Sequence, residues 1–129
     1  MGCFPDESSD YADRVLVALE GHELVVPAIW GLEITNALLV GERSKRLGPS
    51  EIRRFALLLE SLPVLNDAQP FTELVNDVLP LARDYGLSVY DAAYLEVAIR
   101  YGAELATLDK KLQKAAQSAG VQMFAGRRA

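Results

Sequence analysis

Apolar residues recur along this chain in two alternating rhythms, one at helical spacing and one in short continuous runs. Tyr11, Ala12, Val15, Leu16 and Leu19 share one stripe over residues 8–20, which predicts a helix capped by Ser8, Ser9 or Asp10 and ended by Gly21. Leu24-Val25-Val26 is a short apolar run that suits a buried strand. Pro27 occupies a favoured first-turn position and opens a second helix reaching about Arg43. Residues 45–48 form a polar break. Ser50 then caps a third helix whose Ile52, Phe55, Ala56 and Leu59 face inward, and Pro63-Val64-Leu65 is strand or extended connection. Residues 71–85 are helical in pattern, but Pro80 interrupts them, so a kink or two short helices are expected before Gly86 stops the run. Ser88 caps a helix to about Tyr101, closed by Gly102. Leu105-Ala106-Thr107-Leu108 is predicted as a strand, residues 110–119 as a helix, and Val121-Gln122-Met123-Phe124 as a last short strand, leaving 126–129 as a loose tail. Strands separated by helices imply parallel pairing with helices on both faces, an α/β fold. There is no internal repeat, low-complexity tract or linker.

Composition narrows the function classes. The 129 residues suit one domain with a real core, and a hydrophobic share of 50% with 24% charged argues against disorder. No apolar run is long enough to span a bilayer, and no basic segment followed by an apolar one marks the N-terminus, so a cytoplasmic protein is expected. Cys3 is the single cysteine, which excludes an intramolecular disulfide and argues against a cysteine-based zinc site. His22 is the single histidine, so no chemistry that needs two imidazoles is open to this chain. The net charge of −5 is wrong for binding nucleic acid through bulk charge. A local basic patch or a bound cation would have to offset it.

Three carboxylates stand out against this frame, because ligands of parallel sheets bind beyond the C-terminal strand ends, where the following helices begin. Glu33 lies at 100° per residue between Ile29, Trp30 and Ala37, all apolar. Asp91 shares a helix face with Leu95 and Ala98. Asp109 follows the strand that ends in Thr107-Leu108. Each has a plain structural alternative. Ser88 and Asp91 make a capping-box pattern, Asp109 can cap the last helix, and Glu33 can pair with Arg14 or Arg83. Taken together, in a chain without paired histidines or cysteines, they describe an all-oxygen site for Mg²⁺ or Mn²⁺.

The same residues carry a family resemblance. The run from Pro27 to Leu38, holding Leu32-Glu33-Ile34-Thr35-Asn36, resembles the segment that bears the catalytic Glu of PIN-domain ribonucleases of the VapC toxin type. Leu87-Ser88-Val89-Tyr90-Asp91-Ala92-Ala93-Tyr94 resembles the segment of that family's next Asp. Leu105-Ala106-Thr107-Leu108-Asp109 resembles its Thr-x-Asp segment. Order and spacing match across nearly the whole chain. The resemblance implies a three-layer PIN-like sandwich over residues 1–129 as a single domain, with Glu33, Asp91 and Asp109 as metal ligands, directly or through water, and Thr107 orienting the site. It implies endonucleolytic cleavage of RNA, a cognate antitoxin peptide as partner, and a homodimer.

Cys3-Phe4-Pro5-Asp6-Glu7 resembles a segment that in the family follows a first strand ending in Asp. Too few residues precede Pro5 for a strand and its connection. The first strand and first carboxylate are therefore expected to be missing, and activity to be compromised. Arg43, Lys45 and Arg46 form one basic cluster, and Lys110, Lys111 and Lys114 another. Both are candidate RNA contacts or ordinary solvated faces. Glu96 and Arg100 are expected to form an i, i+4 surface pair without a functional role. The rival function is a non-catalytic interaction module that dimerises or binds an antitoxin.

Overall fold

The structure is a computed structural model that describes residues 23–107 and 109–124. Strand β1 (Leu24–Pro27) is followed by helices α1 (Trp30–Arg43) and α2 (Pro49–Glu60), then strand β2 (Val64–Asp67). After β2 come a single α-helical turn, α3 (Phe71–Glu73), a π-helical turn (Leu74–Val78), α4 (Leu79–Tyr85), α5 (Val89–Tyr101) and α6 (Lys110–Ser118). The predicted first helix, with Cys3, Asp6 and His22, lies outside the described residues. β1 and β2 pair in parallel, and the Leu24 N–H donates to the Pro63 carbonyl at 2.9 Å. A two-helix crossover joins them, as parallel pairing requires.

Several boundaries differ from expectation for identifiable reasons. Pro27 ends β1 instead of opening the helix, which begins at Trp30. Pro49, not Ser50, starts α2: proline fills N1, and the Gly48 N–H donates to Glu51 Oε1 at 2.9 Å. The predicted strands at 105–108 and 121–124 meet through one parallel bridge, between Leu105 and Met123. Leu105 donates to Gln122 O (2.9 Å) and accepts from the Phe124 N–H (2.8 Å). Two residues later the Thr107 carbonyl accepts from Gln113 Nε2 of α6 at 2.8 Å. Around Pro80, whose ring nitrogen has no hydrogen to donate, the chain inserts a π turn in which the Leu79 N–H donates to Leu74 O. Widening the turn just before proline relieves its clash with the preceding carbonyls while keeping the helix continuous.

The described chain divides into two compact units. In the one formed mainly by residues 30–65, Phe55 is 3% exposed and packs with Leu38, Leu47, Leu59 and Leu62. In the one formed by residues 25–29 and 66–124, α5 is the buried element: Ala92 through Ala98 are all buried. Val78, Leu112 and Ala116 complete that core.

Four helices end in the same way. The N–H one residue past a left-handed position bonds back across the last turn: Arg46 to Gly41, Leu87 to Ala82, Ala103 to Ala98 and Val121 to Ala116, at 2.8–2.9 Å. Each is a Schellman closure, which satisfies carbonyls the helix leaves open. Gly86, Gly102 and Gly120 fill the left-handed position in three of them, and Lys45 (φ 65°) fills it at the end of α1.

Candidate active site

Asp91 stands in the first turn of α5 and is half-buried. The turn is fixed by its cap, since Ser88 Oγ accepts from the Asp91 N–H at 3.1 Å. Asp109 is the N-cap of α6 and is exposed. Its Oδ1 accepts from the Lys111 N–H at 3.0 Å, and its own N–H donates to Thr107 Oγ1 at 3.1 Å. Thr107 and Asp109 are thus brought together, and Thr107 holds the backbone from which the Asp109 carboxylate projects. One Asp109 oxygen is occupied by the cap, which leaves Oδ2 as a donor to a cation.

Within the same unit, the Lys111 side chain of α6 reaches the turn that leads into α5. A Cβ built on Gly86 would sit 3.9 Å from both Cε and Nζ of Lys111. Each of the two helices carries an Asp in or at its first turn, where a carboxylate is stabilised. Glu33 belongs to the other unit. It is half-buried in the first turn of α1, one position off the stripe that turns Ile34 and Gly41 inward. Arg43, Lys45, Arg46, Lys110, Lys111 and Lys114 are all exposed. Among the described residues no three His, Cys, Asp or Glu side chains gather as a metal-holding group. No described helix is long and apolar enough to cross a membrane.

One expectation is corrected. Glu96 and Arg100 do pair, but Glu96 is only 6% exposed and is the one buried charged residue among those described. Arg100 grips it with Nε to Oε2 (2.9 Å) and Nη2 to Oε1 (3.0 Å). The same guanidinium holds Asp67 at the end of β2, with Nη1 to Oδ1 at 3.2 Å and Nη2 to Oδ2, and Tyr101 Oη donates to Asp67 Oδ1 at 2.8 Å. The hydrogen bonds from Arg100 hold the Asp67 carboxyl below its usual range, and Asp67 in turn pushes the Tyr101 hydroxyl up. The signal was in the sequence: a lone Glu inside Ala92-Ala93-Tyr94-Leu95-Glu96-Val97-Ala98 sits in a helix that is apolar nearly all round, and such a residue is buried and paired. The partnership of Arg100 with Asp67 had no local signal.

Comparison with known proteins places the sequence in a family. The family model described as "PIN domain" matches residues 4–118. The chain is 33% identical over 109 residues to a protein named Ribonuclease VapC3 from Pyrobaculum aerophilum, covering 84% of this chain and 81% of that protein. The segments of Asp91, Thr107 and Asp109, and the helix of Glu33, all fall within the matched span, and the α/β architecture with a parallel sheet agrees with it. The chain belongs to the PIN domain family.

Proposed function

We propose that this protein is a metal-dependent endoribonuclease of the VapC toxin type, which cleaves RNA in the cytoplasm and is restrained by a cognate antitoxin peptide. The observation that carries this reading is the likeness to Ribonuclease VapC3 along most of both chains. PIN-domain nucleases generally depend on a divalent metal. The residue types fit one, since Glu33, Asp91 and Asp109 all offer carboxylate oxygens, and the cap bond of Asp109 uses only Oδ1. Such oxygens suit Mg²⁺ or Mn²⁺. Glu33, Asp91 and Asp109 would hold the ion directly or through water, and Thr107 would keep Asp109 in place. When bound, the ion would supply activation of water and stabilisation of charge on the phosphodiester. The protein's own part is to fix Asp91 and Asp109 at capped helix ends.

Arg43, Lys45, Arg46 and Lys110 are assigned as contacts to the RNA backbone. A homodimer is supported by an apolar stripe on the α3–α4 segment, where Phe71 (79% exposed), Leu74, Val75 and Leu79 reach solvent on successive turns. The rival reading is a non-catalytic module that dimerises or binds an antitoxin. Cleavage assays on bulk tRNA decide between them. Cleavage in Mg²⁺ or Mn²⁺ that disappears with chelator and in Asp91→Asn is expected. Cleavage indifferent to both would overturn the metal mechanism, and no cleavage by a correctly folded dimer would favour the module.

A further inference from the structure

Three aromatic side chains among the described residues are exposed, and two of them have an evident role. Phe71 belongs to the apolar stripe of the α3–α4 segment. Tyr101 donates to Asp67, and the Arg100 guanidinium lies 5.1 Å from its ring centroid. Tyr90 is 60% exposed and, among the described residues, makes no hydrogen bond or ring contact. Packing gives it no role either. Tyr94 and Val97, four and seven positions on along the same face of α5, are buried, and that face loses its cover at Tyr90. The root of the side chain is nevertheless fixed. Tyr90 is the second residue of α5, and the Ser88 cap closes on the N–H of the next residue, Asp91, at 3.1 Å. With only two side-chain torsions, a tyrosine rooted on a capped turn offers a large contact area at small entropic cost.

A large unpartnered ring thus stands next in the chain to a half-buried carboxylate of the candidate site. We infer that Tyr90 is a substrate-binding residue that stacks on a nucleobase flanking the phosphodiester held at Asp91. The inference rests on the ribonuclease reading and adds to it a source of affinity for bases. Single-stranded RNA can splay its bases outward, and aromatic side chains take their faces with little regard to sequence. Stacking also suits the charge of this chain. At a net charge of −5 the protein repels phosphates at long range, whereas contact between a neutral ring and a base face is indifferent to that charge. Adjacent Cα atoms lie about 3.8 Å apart, so a base seated on the Tyr90 ring keeps its own backbone near the Asp91 carboxylate.

The test separates base contact from backbone contact. In an Asp109→Asn background, which prevents turnover and leaves the first turn of α5 intact, affinity is measured across a salt series for two ligands. One is a single-stranded RNA of mixed sequence, the other an abasic oligomer of the same length. Tyr90→Ala is expected to weaken binding of the RNA on the order of 5–100-fold. The slope of log K against log salt should not change, because no phosphate contact is lost. Parent and Tyr90→Ala should bind the abasic oligomer equally. Tyr90→Phe and Tyr90→Trp should keep the affinity, and Tyr90→Leu, which keeps bulk without a π face, should lose it. Tm should stay within about 2 °C in all four, as at an exposed position. Full affinity in Tyr90→Ala or Tyr90→Leu would overturn the inference, as would an equal loss on the abasic oligomer or a larger fall in Tm. A shift of the scattering mass to the monomer in Tyr90→Ala would assign the ring to a protein interface and overturn it too. If wild type cleaves RNA while Tyr90→Ala binds like its parent, this inference alone falls. If the parent binds no RNA and wild type cleaves none, the ribonuclease reading falls with it.

Discussion

Glu96 carries a carboxylate into a helix that is otherwise buried as alanine, leucine, valine and tyrosine, and Arg100 is what makes that tolerable. Arg100→Met would leave a buried charge without its two hydrogen bonds, a loss of about 2–3 kcal/mol in urea unfolding. The double variant Glu96→Leu/Arg100→Leu should recover most of it, because a buried pair replaced by apolar groups avoids the cost of desolvation. A double variant no better than the single one would show that the link to Asp67 matters more than Glu96. That link has a pH signature. The Asp67 carboxyl is held below its ordinary value near 3.8 by Arg100, so its contribution is complete above that value and is lost as pH falls through the depressed folded value. Asp67→Asn should therefore lower stability at neutral pH and flatten its decline below about pH 4. Tyr101 works in the opposite direction. Its raised value means that its hydrogen bond to Asp67 contributes below the ordinary tyrosine range and is lost only as pH rises through the higher folded value.

At the scale of elements, the helix ends combine structural and chemical work. Asp109 caps α6 and is proposed to bind the metal, and two substitutions separate these roles. Asp109→Asn keeps a cap acceptor, so its stability should stay within about 0.5 kcal/mol of wild type while cleavage is lost. Asp109→Ala should lose cleavage and also about 1 kcal/mol of stability. Equal destabilisation by both would mean that the charge, and not the cap bond to Lys111, supports the helix. At the other end of α1, Gly41→Ala would drive a methyl into Leu47, which already packs with Phe55. A cost of about 1–3 kcal/mol is expected, measured by thermal or urea unfolding. The π turn before Pro80 belongs to the same scale: it is a local answer to a missing N–H, and it keeps residues 71–85 one continuous rod.

For the whole molecule, assembly and activity are separate expectations. The exposed stripe from Phe71 to Leu79 predicts a dimer by light-scattering mass, and Phe71→Glu/Leu79→Glu should shift that mass to the monomer. Wild type that scatters as a monomer at high concentration would remove the dimer claim without touching the nuclease claim. Metal binding has its own readout. Mg²⁺ or Mn²⁺ should raise Tm by mass action in wild type, and less so in Asp91→Asn, whatever the RNA target proves to be.

Caps and stops were legible in the sequence because their hydrogen bonds are local. Ser88 reaches three residues on, Asp109 two, and the turns at Gly86 and Gly102 close within five or six. The segments of Glu33, Asp91, Thr107 and Asp109 were legible as patterns for the same reason, and the family they resemble is the one the chain belongs to. What no local pattern contained was decided by partners distant in the chain. The run from Leu105 has the composition of a strand, yet among the described residues it makes one bridge, to Met123, while Gln113 takes the Thr107 carbonyl. Arg100 finds Asp67 thirty-three residues away and joins the buried Glu96 to the end of β2. Lys45, polar and in a polar break, gave no sign of its left-handed backbone, which follows from the bonds that Arg46 and Leu47 make back to Gly41. The sequence by itself determined the cap at Ser88, the cap at Asp109 and the stops at Gly86 and Gly102, because each is closed by neighbours in the chain. Only the tertiary structure decided which backbone groups have a ladder to join and which charges lose their water, because both depend on what the folded chain places beside them.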